Sequence, residues 1–263
     1  MPKLILIVIA NTQDPEIAKG CEADVRSIRG VFEHLCQQTH FIFCEIVIVG
    51  TDYCRKNVMS AMDAITPFDN DVTIFYYSGH GFSYGKDRSR KFPQIDLRPD
   101  QDNKKIDFIN AHTENLMVML QLLRLRGGRV NIVIGDCCNS TIQFKRMFES
   151  STEMNIAEDL LPPVSKAMSE RLFSEGAVSI IAAAAKRGEF AISDAKIGSL
   201  FTYSFTRALA KLLSKEPGPD SLLPWHQLLE ATREKAFELS KTYGIHGKPG
   251  HQEAIFEIML EKE

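Results

Sequence analysis

The chain has 263 residues, 44% hydrophobic and 25% charged, a balance that suits a globular protein with a substantial core and excludes a disordered or fibrous one. A formal net charge of −3 excludes a global basic field for nucleic acid or an anionic membrane surface. Six cysteines (Cys21, Cys36, Cys44, Cys54, Cys137, Cys138) are too few for a disulfide scaffold in a chain this long and point to reduced thiols.

The opening run "KLILIVIAN" is short for the apolar region of a signal peptide and is followed by no small-residue cleavage pattern. It predicts a first strand in a cytoplasmic protein, and no later segment approaches the roughly 20 apolar residues of a membrane span. Five further β-branched and aromatic runs follow: "FIFCEIVIVG", "DVTIFYYSG", "RVNIVIGD", "GAVSIIAAAA" and "EAIFEIML". Between them, apolar residues at three- and four-residue spacings predict helices over 23–38, 55–65, 113–125, 165–173, 200–214 and 224–243. Gly127 and Gly128 suit the end of the third, and "KEPGPD" stops the fifth. Continuous apolar strands alternating with amphipathic helices predict a three-layer α/β/α sandwich around a mostly parallel sheet of about six strands. One domain, 1–263, accommodates them all.

Two polar stretches without periodicity, 83–110 and 140–163, follow directly after the third and fourth strands. Loops of this length in a compact domain are commonly functional. The strands before them end in "YYSGHGF" and "IGDCCNS". In parallel sheets ligands bind beyond the carboxyl ends of the strands, so His80 and the cysteine pair are candidates for one site. A nearby imidazole activates a thiol as nucleophile and later protonates the leaving amine. Gly79 and Gly81 leave room for a substrate backbone, and the amides of Gly81 and Cys138 are candidate oxyanion donors. A zinc site from His80, Cys137 and Cys138 is the alternative use of the same residues; the spacing resembles no closed zinc site, and no metal is expected.

"YYSGHGF" with "IGDCCNS" resembles the histidine and cysteine motifs of the caspase/metacaspase peptidases. Two further segments are similar to the family's pattern: "KGCEADVRSIRGVF" at the first helix, and "SIIAAAAKRGEFAIS" with "GSLFTYSFTRAL" where the small-subunit portion opens. The resemblance implies a large-subunit-like portion, 1–150, and a small-subunit-like portion, 151–263. It implies His80 as general base and acid and Cys138 as nucleophile, whereas chemistry alone leaves Cys137 and Cys138 open. It also implies Asp24, Ser78 and Asp136 as substrate-binding residues under the side chain that precedes the cut. Two carboxylates there favour a cationic partner, hence cleavage after Arg or Lys. The bland alternatives are Asp24 as an acid at a helix start, favoured by the macrodipole, and Asp136 as a strand-end turn residue.

No organic cofactor is expected. Calcium, which many relatives bind, lacks the family's aspartate after the cysteine motif here, and Asp96, Asp100, Asp102 and Asp107 are the remaining candidate ligands. The expected partner is a protein or peptide substrate, with room for a regulatory partner and with neither nucleic acid nor membrane. Lys145 and Arg146 offer a site for self-cleavage. Two rivals stay open: a catalytically silent adaptor on the same scaffold, and an enzyme with the animal caspases' preference for acidic residues. Against the second, Ala18 and Lys19 stand where an arginine would be needed.

Overall fold

The computed structural model describes residues 1–85, 89–141, 148–149, 161–218, 224–243 and 250–260. Six strands form the central sheet: β1 (Lys3–Ala10), β2 (Ile42–Ile48), β3 (Val72–Ser78), β4 (Val130–Asp136), β5 (Val178–Ala183) and β6 (Ile255–Leu260). Their order is β6-β5-β4-β3-β1-β2, parallel throughout except that β6 runs antiparallel to β5. Every residue of β3 and β4 is buried, which is why both read as unbroken apolar runs rather than alternating ones.

Seven helices are described: α1 (Ala18–Gln38), α2 (Arg55–Ala64), α3 (Ile106–Ala111), α4 (Leu116–Arg126), α5 (Lys166–Phe173), α6 (Leu200–Leu213) and α7 (Pro224–Thr242). Strand side chains alternate between two cores. Leu6, Val8, Ile74, Tyr76 and Ile134 pack with Phe32 and Leu35 of α1 and with Phe201 and Phe205 of α6. Ile7, Ile9, Phe75, Tyr77 and Val133 pack on the other face with Val58 and Met62 of α2 and with Leu116, Met119 and Leu120 of α4. These are the three layers predicted from the sequence. Trp225 fills the first core, with Nε1 donating to the Leu172 carbonyl at 2.8 Å.

Several boundaries differ from expectation. Helix α1 starts at Ala18 rather than 23, because the carbonyl of Asp14 accepts from the amides of Ile17 and Ala18 and launches it early. Gly20, which reads as a helix breaker, is there for space: a Cβ would lie 2.3 Å from Ser193 Oγ. Residues Thr113–Asn115, predicted helical, form a strand, and Asn115 caps α4 by accepting from the Met117 amide. The supposedly irregular stretch 83–110 joins a three-stranded antiparallel ribbon, Gly81–Phe82, Gln94–Asp96 and Thr113–Asn115, and holds α3. Of the second polar stretch, 142–147 and 150–160 lie outside the described residues, and with them Lys145 and Arg146. Phe148–Glu149 pairs with Ile192 and Ser193. His246 and residues 86–88 also lie outside.

Candidate active site

Parallel pairing of β3 and β4 sets Ser78 opposite Asp136 and Tyr76 opposite Ile134. Alternation then turns the side chains of Tyr76, Ser78, Ile134, Asp136 and Cys138 to the α1 face. Cys138 packs in the α1 core, while Cys137, one residue earlier, packs with Tyr77 and Val133 on the opposite face. The two thiols are therefore segregated, and only Cys138 shares a face with the acids. All six cysteines are free.

His80 is held from three sides. Its carbonyl accepts from Tyr77 Oη at 2.7 Å and from the Asp96 amide at 3.0 Å. The Gly79 amide donates to the Asp136 carbonyl at 3.2 Å, tying the strand extension to β4. The ring Nε2 lies 2.9 Å from Oδ2 of Asp14. Asp14 was no candidate in the sequence, although an acid four residues past the end of a strand is the kind of signal that finds it. That β1 lies beside β3 is what gives the signal meaning.

The two glycines have another role than expected. A Cβ on Gly79 would sit 2.7 Å from Tyr77 Oη, and one on Gly81 would sit 2.4 Å from Cys137 Sγ and 2.7 Å from the Cys138 carbonyl. The space beside them is filled by the protein's own atoms, so they allow two strand ends to close together rather than leaving room for a substrate.

The Cys138 thiol is 1% exposed, with the Ala191 amide 3.4 Å from Sγ. Segment 187–191 lies over it, joined to Asn139 by the hydrogen bonds Asn139 N–H to Glu189 O and Gly188 N–H to Asn139 O. Burial pushes this thiol up to about 12, against the pull of the Ala191 amide. The resting group is therefore a thiol at neutral pH.

Asp24, Ser78 and Asp136 lie together, and all three are fully buried. Asp24 lies inside α1 rather than at its start, which removes the helix-terminus explanation for it. Its Oδ2 accepts from Ser78 Oγ at 2.8 Å and its Oδ1 from the Ser199 amide at 2.7 Å. Oδ2 of Asp136 accepts from the hydroxyls of Ser199 and Thr202 and from the Thr202 amide. Its Oδ1 has no hydrogen-bond partner among the described residues. Burial, then the neighbouring Asp136, push Asp24 well above the usual carboxylate range. Burial lifts Asp136 to about 6 against the hydrogen bonds of Ser199 and Thr202. Two carboxyls buried together cannot both ionise freely, so the pair holds a proton to higher pH than a solvated carboxylate would. Ser199 and Thr202 went unnoticed in the sequence because hydroxyls at the start of an apolar helix read as caps; Ser199 is indeed the cap of α6.

Of the candidate calcium ligands, Asp96 is buried and gripped by the Arg98 guanidinium, and Oδ1 of Asp100 is taken by the Asp102 amide. The close group of potential ligands among the described residues is elsewhere, at Glu189, His251 and Glu253, where Lys186 already pairs with both glutamates. No described helix is long and apolar enough to cross a membrane.

No curated protein matches the chain. The family model for the caspase domain matches residues 3–257, nearly the whole chain. With a six-stranded sheet flanked by helices and a histidine and a cysteine beyond adjacent strand ends, the chain belongs to the caspase-domain family of cysteine peptidases.

Proposed function

We propose that this chain is an endopeptidase that cuts after Arg or Lys, with Cys138 as nucleophile and His80 as base and acid. The observation that carries the pair is the register of Ser78 against Asp136: residues two beyond each strand end leave adjacent strands at the same level. In the reaction, the Cys138 proton passes to His80 and the thiolate adds to the peptide carbonyl. The oxyanion is met by the Cys138 and Gly81 amides, the amine leaves with the proton from His80, and water hydrolyses the thioester. Every step uses side chains and amides of this chain.

The preference for basic residues is supported by two buried carboxyls that form no ion pair among the described residues, one with an oxygen lacking any donor. A buried acceptor without a partner costs roughly 1–3 kcal/mol, and a substrate guanidinium or ammonium would remove that cost. The same pair opposes an acidic side chain, which disfavours the animal-caspase preference. Since the thiol and the acids are closed off, productive binding requires the segment from 187 to 199 to shift. Self-cleavage at Lys145 or Arg146 follows from the same specificity. A reducing compartment such as the cytoplasm suits the thiol.

An arginine-ended peptide carrying a thiol-reactive warhead should label the wild type at Cys138 and leave Cys138→Ala unlabelled. Labelling that persists without Cys138, or is equally fast with an aspartate-ended probe, would overturn the reading; no labelling by either probe favours the silent adaptor.

A further inference from the structure

Residues 11–14 form a tight polar turn after β1, "NTQD". Oδ1 of Asn11 accepts from the amides of Gln13 and Asp14, at 3.4 and 3.2 Å. Oδ1 of Asp14 in turn accepts from the Glu16 amide at 3.0 Å, and the Asp14 carbonyl accepts from Ile17 and Ala18. The carboxylate is thereby locked at one oxygen by its own loop, while its other oxygen meets His80 Nε2 at 2.9 Å. Both side chains are largely out of water, at 7% and 12% exposure. The loop reaches His80 because β1 and β3 are neighbours, with Ala10 opposite Ser78.

A carboxylate only accepts, so Nε2 must be the donor. In neutral His80 the ring's one proton then sits on Nε2, and Nδ1 is the nitrogen left with a lone pair. We infer that Asp14 is a positioning residue of the hydrolytic site, fixing the tautomer of His80 that can take the proton of Cys138. The inference rests on the pairing of His80 with Cys138 proposed above and extends it to a relay of three. When Sγ–H gives its proton to Nδ1, the products are a thiolate and an imidazolium whose Nε2–H remains on Asp14. The carboxylate stays ionised and stabilises that imidazolium. The Nδ1 proton later leaves with the amine, and water restores thiol and neutral ring. A purely structural tie between loop and strand would need none of this.

The test is Asp14→Asn, which keeps the acceptor for the Glu16 amide and so the loop, beside Asp14→Glu, which keeps the carboxylate. For Asp14→Asn, kcat on an arginine peptide should fall by about 10- to 1000-fold with KM within roughly threefold. Asp14→Glu should recover part of the loss. Thermal unfolding confirms that both variants fold. Long-range 15N–1H spectra of the resting protein should show Nε2 protonated in neutral His80, and a mixture of tautomers in Asp14→Asn. Wild-type kcat in Asp14→Asn, or a neutral ring protonated at Nδ1, overturns the inference. The ring spectra need no turnover. If the wild type cleaves no arginine peptide, the proposed specificity fails while the tautomer still decides the role of Asp14.

Discussion

Ser78 and Asp136 are direct partners across the parallel strands β3 and β4, and each also touches the buried acid site through its side chain. This one pairing brings the histidine and cysteine loops side by side and lays the acids beneath them.

The two thiols should behave as different residues. Cys137→Ala is expected to keep peptidase activity within about threefold, because its sulfur packs in the far core, and to lose roughly 1 kcal/mol of stability. Cys138→Ala should abolish activity at a similar cost in stability, since its sulfur is equally buried. Steady-state kinetics and urea unfolding on both variants check the assignment; the opposite pattern would transfer the nucleophile to Cys137.

Gly81 should resist even alanine. The added methyl would meet Cys137 Cβ and the Cys138 carbonyl at 2.7 Å, so the strand ends have to separate. We expect Gly81→Ala to cost about 1–3 kcal/mol and to reduce probe labelling of Cys138. Combining it with Cys137→Ala removes only the sulfur, so the double variant should not regain wild-type stability.

Binding of a small guanidinium such as agmatine should strengthen with pH. Asp136 titrates at about 6 in the folded chain, facing Asp24, Tyr76, Ser199 and Thr202, and a cation binds its ionised form. Affinity should rise about tenfold between pH 5 and 7 and then level off, as calorimetry can measure. The stability contribution has the opposite sense. Because the folded value lies above the ordinary 3.8, the folded chain holds more protons between the two values. That contribution is complete below the ordinary value and is lost as pH rises through about 6. Affinity that is flat across this range would remove Asp136 from the binding site.

Ser199 links helix capping to that titration. Its hydroxyl accepts from the Thr202 amide at 3.1 Å and donates to Asp136. Ser199→Ala should cost about 1 kcal/mol for the lost cap and also raise the Asp136 midpoint, since a donor to the ionised form is gone. The agmatine profile should shift to higher pH. A stability loss without a shift would assign Ser199 to capping alone.

Local signals were enough for much of the fold. The four inner strands were legible because β-branched runs buried on both faces have few alternatives, the two edge strands because their short β-branched runs are too brief for helices, and α6 and α7 were placed to within a residue by their apolar spacing. The ribbon at Gly81–Phe82, Gln94–Asp96 and Thr113–Asn115 was not, because two- and three-residue strands carry no period to detect. Nor was the role of Gly20 inside α1, since its value is close approach to Ser193, a residue distant in sequence.

The sequence by itself determined the layers and the strand ends that bear His80 and Cys138. These follow from periodicity and residue chemistry, which act over a few neighbours along the chain. Only the tertiary structure decided that Asp14 meets His80, that Ser199 and Thr202 hold Asp136, that Cys137 and Cys138 face different cores and that Ala191 covers the thiol. Each of those depends on which strands become neighbours and in what register, a choice made by packing the whole sheet at once.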